Sequence, residues 1–255
     1  MGMQNSGDDV LEEGAYSNGL PHPTRRMRAR MALELGTLML LTAAFLTLAP
    51  KPFLNNWTFV GLALVGLGMV LYRRNEIEER IWGPPESPDF DRVRRCTLNM
   101  SALTIPPMLI FLGLGLYARY VRPSMFKDIM DLDGPPCPMI SFNFFFALCF
   151  YVPWALLQQT LFQFYLLGRL RALLPFASPL LLATINGICY GMVHLPSGLL
   201  ITGVTIVGGI CWSYSYHRDR YVFPLALSHA LLATTFFYWV NGKDIVVSMI
   251  EHISK

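Results

Sequence analysis

The sequence predicts an all-α fold, a polytopic transmembrane helix bundle of about seven spans, and three observations carry that expectation. Of 255 residues, 53% are hydrophobic and only 15% are charged. A soluble domain carries about 25% charged residues. The apolar residues are also gathered into long runs, and a helix needs about 20 mostly apolar residues to cross the hydrocarbon. Finally, the basic residues fall unevenly across the segments between those runs.

The runs lie at roughly 31 to 49, 57 to 72, 101 to 118, 140 to 168, 177 to 195, 198 to 216 and 221 to 240. The 24 residues that open the sequence are polar, acidic and turn-rich, with Asp8, Asp9, Glu12, Glu13, Pro21 and Pro23. They lack the apolar core of a signal peptide and read as a disordered tail. Arg25, Arg26, Arg28 and Arg30 then stand directly before the first run, where they act as an orientation signal. With the tail inside and the segments alternating, fourteen of the 20 Lys and Arg residues fall inside and six outside. This bias predicts seven spans in the cell membrane, a cytoplasmic N-terminus and an external C-terminus. The expected organisation is a tail over 1–30, three N-terminal helices with loops over 31–139, a four-helix site region over 140–241, and a C-terminal tail over 242–255.

The formal charge of +3 and the absence of a basic cluster interleaved with aromatics exclude nucleic acid as a partner. Membrane lipids are the expected surroundings. Five cysteines, at 96, 137, 149, 189 and 211, stand singly, so neither a CxxC pair nor a disulfide framework is indicated and packing is their expected role. The inner connector around Gly83-Pro84-Pro85 reads as solvated loop. Asp128, Asp131 and Asp133 precede Gly134-Pro135 in a pattern that a turn explains without a metal.

The first three spans are almost purely aliphatic. Spans four, five and seven each hold polar groups deep in the apolar run, which are costly in hydrocarbon unless they face protein. Gln158, Gln159 and Gln163 lie in span four, Asn186, Tyr190 and His194 in span five, and His229 in span seven. Gln159 and Gln163 are i and i+4, a spacing that predicts a shared face and a side-chain hydrogen bond. Asn186, Tyr190 and His194 form a polar stripe at i, i+4 and i+8. The bland alternative is interhelical hydrogen bonds of around 1 kcal/mol each. By helical rise, Gln158 and His229 reach a similar depth, about 17 and 14 Å from the inner arginines, while His194 comes out about 25 Å along span five and nearer the outer face.

In this order and at these intervals, the segments resemble the CPBP family of intramembrane endopeptidases, which includes the type II CAAX prenyl proteases and bacteriocin-processing proteins. The family is marked by EExxxR, FxxxH and HxxxN or HxxxD. The sequence reads Gln158-Gln159-Thr160-Leu161-Phe162-Gln163 against the first, Tyr190-Gly191-Met192-Val193-His194 against the second, and His229-Ala230-Leu231-Leu232-Ala233 against the third. The resemblance covers roughly 140 to 240. It implies hydrolysis of membrane-anchored or lipidated peptides, with Gln158, Gln159, His194 and His229 at the catalytic positions; no cofactor is expected, and no metal, since His194 and His229 supply only two ligands where a catalytic zinc site has three. The family's water-activating glutamate is Gln158 here, its intramembrane Glu and Arg are Gln159 and Gln163, and its amide is Ala233. A carboxamide is no general base near neutral pH. The sequence therefore points to a CAAX protease-like membrane hydrolase or to a pseudoenzyme that binds a membrane peptide for sorting, immunity or assembly.

Overall fold

The structure is a computed structural model that describes residues 24–48, 61, 64–73, 90–125, 135–195, 198–244 and 246–247. The expected tail up to Pro23, the Gly83-Pro84-Pro85 connector and the Asp128, Asp131 and Asp133 loop lie outside the described residues. Seven helices are described: α1 (Arg25–Leu48), α2 (Leu64–Arg73), α3 (Phe90–Tyr120), α4 (Phe142–Leu173), α5 (Pro179–Met192), α6 (Leu199–Asp219) and α7 (Val222–Asn241). Each falls on one of the apolar runs, and no strand occurs among the described residues. Helices α3, α4, α6 and α7 are long and apolar enough to cross a membrane. The protein is a helical membrane bundle.

Local chemistry sets the helix ends. Thr24 caps α1, its Oγ1 accepting from the Met27 N–H at 3.3 Å, so the basic knot forms the first turns of that helix and not part of a tail. Ser141 caps α4 through the Phe144 N–H at 3.1 Å. Ser178 caps α5 through the Leu181 N–H at 3.2 Å, with Pro179 entering the first turn, where its missing N–H costs nothing. Gly198, at φ 100°, makes the turn into α6, a left-handed conformation that only glycine adopts without strain. Helices α4 and α7 each contain a wide π segment, Thr160–Leu166 and Phe236–Asn241.

One end of the bundle collects arginines. Glu34 of α1 is ion-paired with Arg73 of α2 at 3.2 Å and with Arg169 of α4 at 2.9 Å, and accepts from the Tyr165 hydroxyl at 2.9 Å. Asp219, fully buried at the end of α6, is paired with Arg95 of α3 at 3.3 Å and with Arg218 at 2.9 Å. The opposite end is held by polar clamps. The Arg119 guanidinium donates to the carbonyls of Trp239, Tyr238 and Cys137 at 2.7, 2.8 and 2.9 Å, which satisfies carbonyls at the wide end of α7. Asp244 accepts from Asn143 at 2.8 Å, from the Tyr238 hydroxyl at 2.7 Å and from the Val246 N–H at 2.9 Å.

The tightest packing joins α5 to α6. A Cβ on Gly187 would sit 2.5 Å from Ile210 Cγ1 and 2.6 Å from the Ile210 backbone nitrogen, and one on Gly209 would lie 2.9 Å from Gly187 Cα. Small residues let membrane helices approach this closely. Gly187→Ala is expected to force the helices apart and cost about 1–3 kcal/mol, read as a lowered unfolding midpoint of the purified protein in detergent. Gly203→Ala, in the facing helix α6 with nothing within 4 Å of its Cβ, should leave the midpoint nearly unchanged.

The Asp244 clamp carries a pH dependence. Burial pushes its carboxyl up, but the hydrogen bonds from Asn143, Tyr238 and the Val247 and Val246 N–H groups together hold it below its ordinary value. A carboxyl lowered in the folded state contributes stability at pH above its unfolded value, about 3.9, and loses it as pH falls through the folded value. Acid titration of stability should therefore show a fall below about pH 4 that Asp244→Asn reduces.

Candidate active site: a tyrosine between two histidines

Tyr190, completely buried in α5, is the centre of the site. Its hydroxyl lies 3.1 Å from Nδ1 and 3.2 Å from Nε2 of His229 on α7, and 3.5 Å from Oε1 of Gln158 on α4. His194, in the turn that ends α5, places Nδ1 3.0 Å from the Tyr190 carbonyl oxygen, and its ring centroid is 5.3 Å from that of Tyr190. Three of the four residues expected at the catalytic positions, Gln158, His194 and His229, are thus gathered around one phenol. Helical rise put His194 nearer the outer face than the other two, yet it stands beside them, in the turn that follows the end of α5 at Met192.

His229 stands alone in its sequence but not in space. Trp212 of α6 is 5.0 Å away, Tyr151 of α4 5.8 Å and Tyr190 5.8 Å, ring centroid to centroid. The Trp212 indole N–H donates to Ser228 Oγ at 3.2 Å, and Thr104 Oγ1 of α3 lies 2.7 Å from the same oxygen. A buried indole needs such a partner. Sequence reasoning that looked for polar groups in spans four, five and seven missed Trp212 and Ser213 of span six. The signal was there, a Trp-Ser pair in the middle of an apolar run.

Gln159 does not join this group. It is fully buried, and neither of its amide atoms has a hydrogen-bond partner among the described residues. The expected bond between Gln159 and Gln163 is not formed. Gln163 Oε1 instead accepts from Asn186 Nδ2 at 3.0 Å, and that same amide donates to Ser213 Oγ at 2.8 Å. The reason is the π segment that starts at Thr160. Its wider turn breaks the α-helical i,i+4 alignment on which the expectation rested.

Beside these residues a cavity of about 710 Å³ is bounded by α3, α4, α6 and α7. Leu103, Pro107 and Phe111 form one wall, and Val204, Gly208 and Cys211 another, with His194, Trp212, Ser228, His229 and Ala233 among its lining residues. Ala233, where the resemblance calls for an amide, contributes a methyl group to the lining. Among the described residues no group of three or more His, Cys, Asp or Glu side chains is placed to hold a metal. The chemistry available is that of two imidazoles, a phenol, a carboxamide and an apolar chamber.

Residues 140–235, about two fifths of the chain, match the family described as Type II CAAX prenyl endopeptidase Rce1-like. The similarity spans α4 to α7, the helices that carry the site. No curated protein and no solved structure matches the chain.

The amide bridge between α4, α5 and α6 has its own test. Asn186→Ala leaves Gln163 Oε1 and Ser213 without their shared donor and should cost about 1–3 kcal/mol. The check is unfolding of the purified protein, with Thr184→Ala, at a half-exposed position of the same helix, as the variant expected to shift little.

Proposed function

We propose that this CAAX endopeptidase-like membrane protein holds a membrane-anchored, lipidated peptide in the cavity beside His194 and His229 and does not hydrolyse it. The four helices over 140–241 are the binding unit, with the three preceding helices as its scaffold. The basic bias sets the protein in the cell membrane with its N-terminus in the cytoplasm.

The observation that carries the reading is the group at the centre of the site. Tyr190 donates its hydroxyl where Gln158 and His229 converge, and Gln158 is a carboxamide with no proton-accepting role near neutral pH. General base catalysis contributes about 10²- to 10⁴-fold, and Gln158 does not supply it. A peptide carrying a long hydrocarbon fits the chamber in kind, since its walls are apolar and its polar groups few.

Hydrolysis is the second reading, favoured by two imidazoles lining one cavity. A reconstituted, photoactivatable prenylated peptide separates the two. The expected result is saturable cross-linking that Ala233→Phe weakens at least tenfold, with no cleavage product. Product formation that disappears in His229→Ala would establish the second reading instead.

A further inference from the structure

The seams between the helices around the chamber are not equally closed. Helices α3 and α7 are joined at three levels, by Thr104 and Ser228 at 2.7 Å, by the rings of Phe111 and Phe236 at 5.3 Å and by Arg119 on the Trp239 carbonyl at 2.7 Å. Ala155 packs with Ala226 and Ala230, and Phe144 with Tyr238, between α4 and α7. Helices α5 and α6 meet at Gly187 and again at Gly191, where a Cβ would strike Ile206. Between α3 and α6, Arg95 pairs with Asp219 at 3.3 Å at the arginine-rich end. Past that pair both helices face the chamber, α3 with Leu103, Pro107 and Phe111 and α6 with Leu200, Val204 and Val207.

This seam is where the chamber meets its surroundings. Leu200 is 60% and Val207 62% exposed, although both belong to the chamber wall. Side chains that border a cavity and are also open to the outside mark its mouth, and in a membrane the outside is hydrocarbon. The mouth is one-sided. Along α6, residues 199 to 207 lie about 17 to 29 Å from Arg218 by helical rise. The hydrocarbon is about 30 Å thick, so the mouth belongs to the leaflet away from the arginines. His194, beyond the end of α5 that is remote from Pro179, borders the chamber on the same side.

We infer that the chamber takes the hydrocarbon chain of its ligand sideways, between α3 and α6, from the leaflet opposite the arginine-rich end. With the N-terminus in the cytoplasm that is the outer leaflet. The ligand class is then a lipid-anchored molecule whose polar part lies outside the cell, not a lipidated tail displayed to the cytoplasm. This deepens the binding reading above and rests on it for the ligand being a lipidated peptide, whereas the side of entry rests on the placement of the mouth.

A single-chain alkyl probe with a diazirine near the chain end and a disulfonated head group enters the leaflet to which it is added. Full-length protein with an N-terminal epitope tag is reconstituted sparsely, in both orientations, in sealed vesicles. The tag marks the arginine-rich end, where Arg25 opens α1 and Glu34 meets Arg73 and Arg169, so antibody beads sort the vesicles by the end turned outward. After irradiation, peptide mass spectrometry should find Ser228, His229 and Ala233, inside the chamber, labelled at least tenfold more in vesicles whose arginine-rich end points inward. Equal labelling in the two pools, or the reverse ratio, overturns the proposal. Gly203→Phe, at an exposed wall position with nothing within 4 Å of its Cβ, should obstruct the mouth and cut that labelling at least fivefold with the unfolding midpoint unmoved. A folded Gly203→Phe protein labelled like its parent overturns the route between α3 and α6. On intact cells the tag antibody should bind only after permeabilisation, and binding without it overturns the outer-leaflet assignment. Failure of unlabelled prenylated peptide to compete, with the ratio between pools intact, overturns only the binding reading.

Discussion

The backbone contact between α5 and α6 is the constraint from which the site follows. Gly187 and Gly209 meet so closely that a methyl group on either would collide with backbone atoms across the interface. That approach brings Asn186 within 2.8 Å of Ser213 and sets the Tyr190 ring against Trp212, centroids 5.7 Å apart. Phe162 of α4 closes the other side of the phenol at 4.7 Å. A tyrosine held among the rings of Trp212 of α6, Phe162 of α4 and His229 of α7 has little freedom to turn away, and its hydroxyl falls where α4 and α7 present Gln158 and His229. The site is a product of packing first and of polar contacts second.

Charge is distributed by the same logic. The middle of the bundle holds amides, hydroxyls and imidazoles, several of them joined by hydrogen bonds, which make a polar group tolerable in an apolar surrounding. Ions are kept at the two ends, where Glu34 meets Arg73 and Arg169 together at one and Arg119 and Asp244 form the clamps of the other. Arg169 is 1% exposed in its side chain, and a buried cation with its partner removed is far more costly than a neutral amide left without one. Hence Gln159 can remain buried with both amide atoms unpartnered, which its charged counterpart in the resembling family could not.

The fold was legible because apolar run length is a direct physical requirement of the bilayer, and seven runs became seven helices. The polar stripe Asn186, Tyr190, His194 was legible for a similar reason, since α5 is regular up to Met192 and its end adds only a short turn. Gln159 with Gln163 was not. Periodicity assumes one helical geometry, and the π segment between them changes it without a sequence signature such as proline or glycine. Glu34 was missed differently: counted within an aliphatic span, a single acid looked incidental, yet Arg73 and Arg169 converge on it from runs far away in the sequence. Long-range pairing of this kind cannot be read from spacing within one helix.

The replacements at the site are mutually consistent in a way that a loss of charge alone would not produce. A glutamate at 158 would bring a carboxylate to within reach of the Tyr190 hydroxyl, which donates to the Gln158 carboxamide oxygen at 3.5 Å. Ala233 removes an amide from the cavity lining and adds apolar surface instead. Absence of the base lowers rate by about 10²- to 10⁴-fold, and absence of one oxyanion donor by about 10²- to 10³-fold. Taken together these amount to some 10⁴- to 10⁷-fold, within the span of the whole acceleration of a modest enzyme. The apolar chamber, by contrast, needs neither group. On the proposed reading, the replaced groups belong to the bond-breaking step, and the chamber and the aromatic frame around Tyr190 belong to holding a ligand in place.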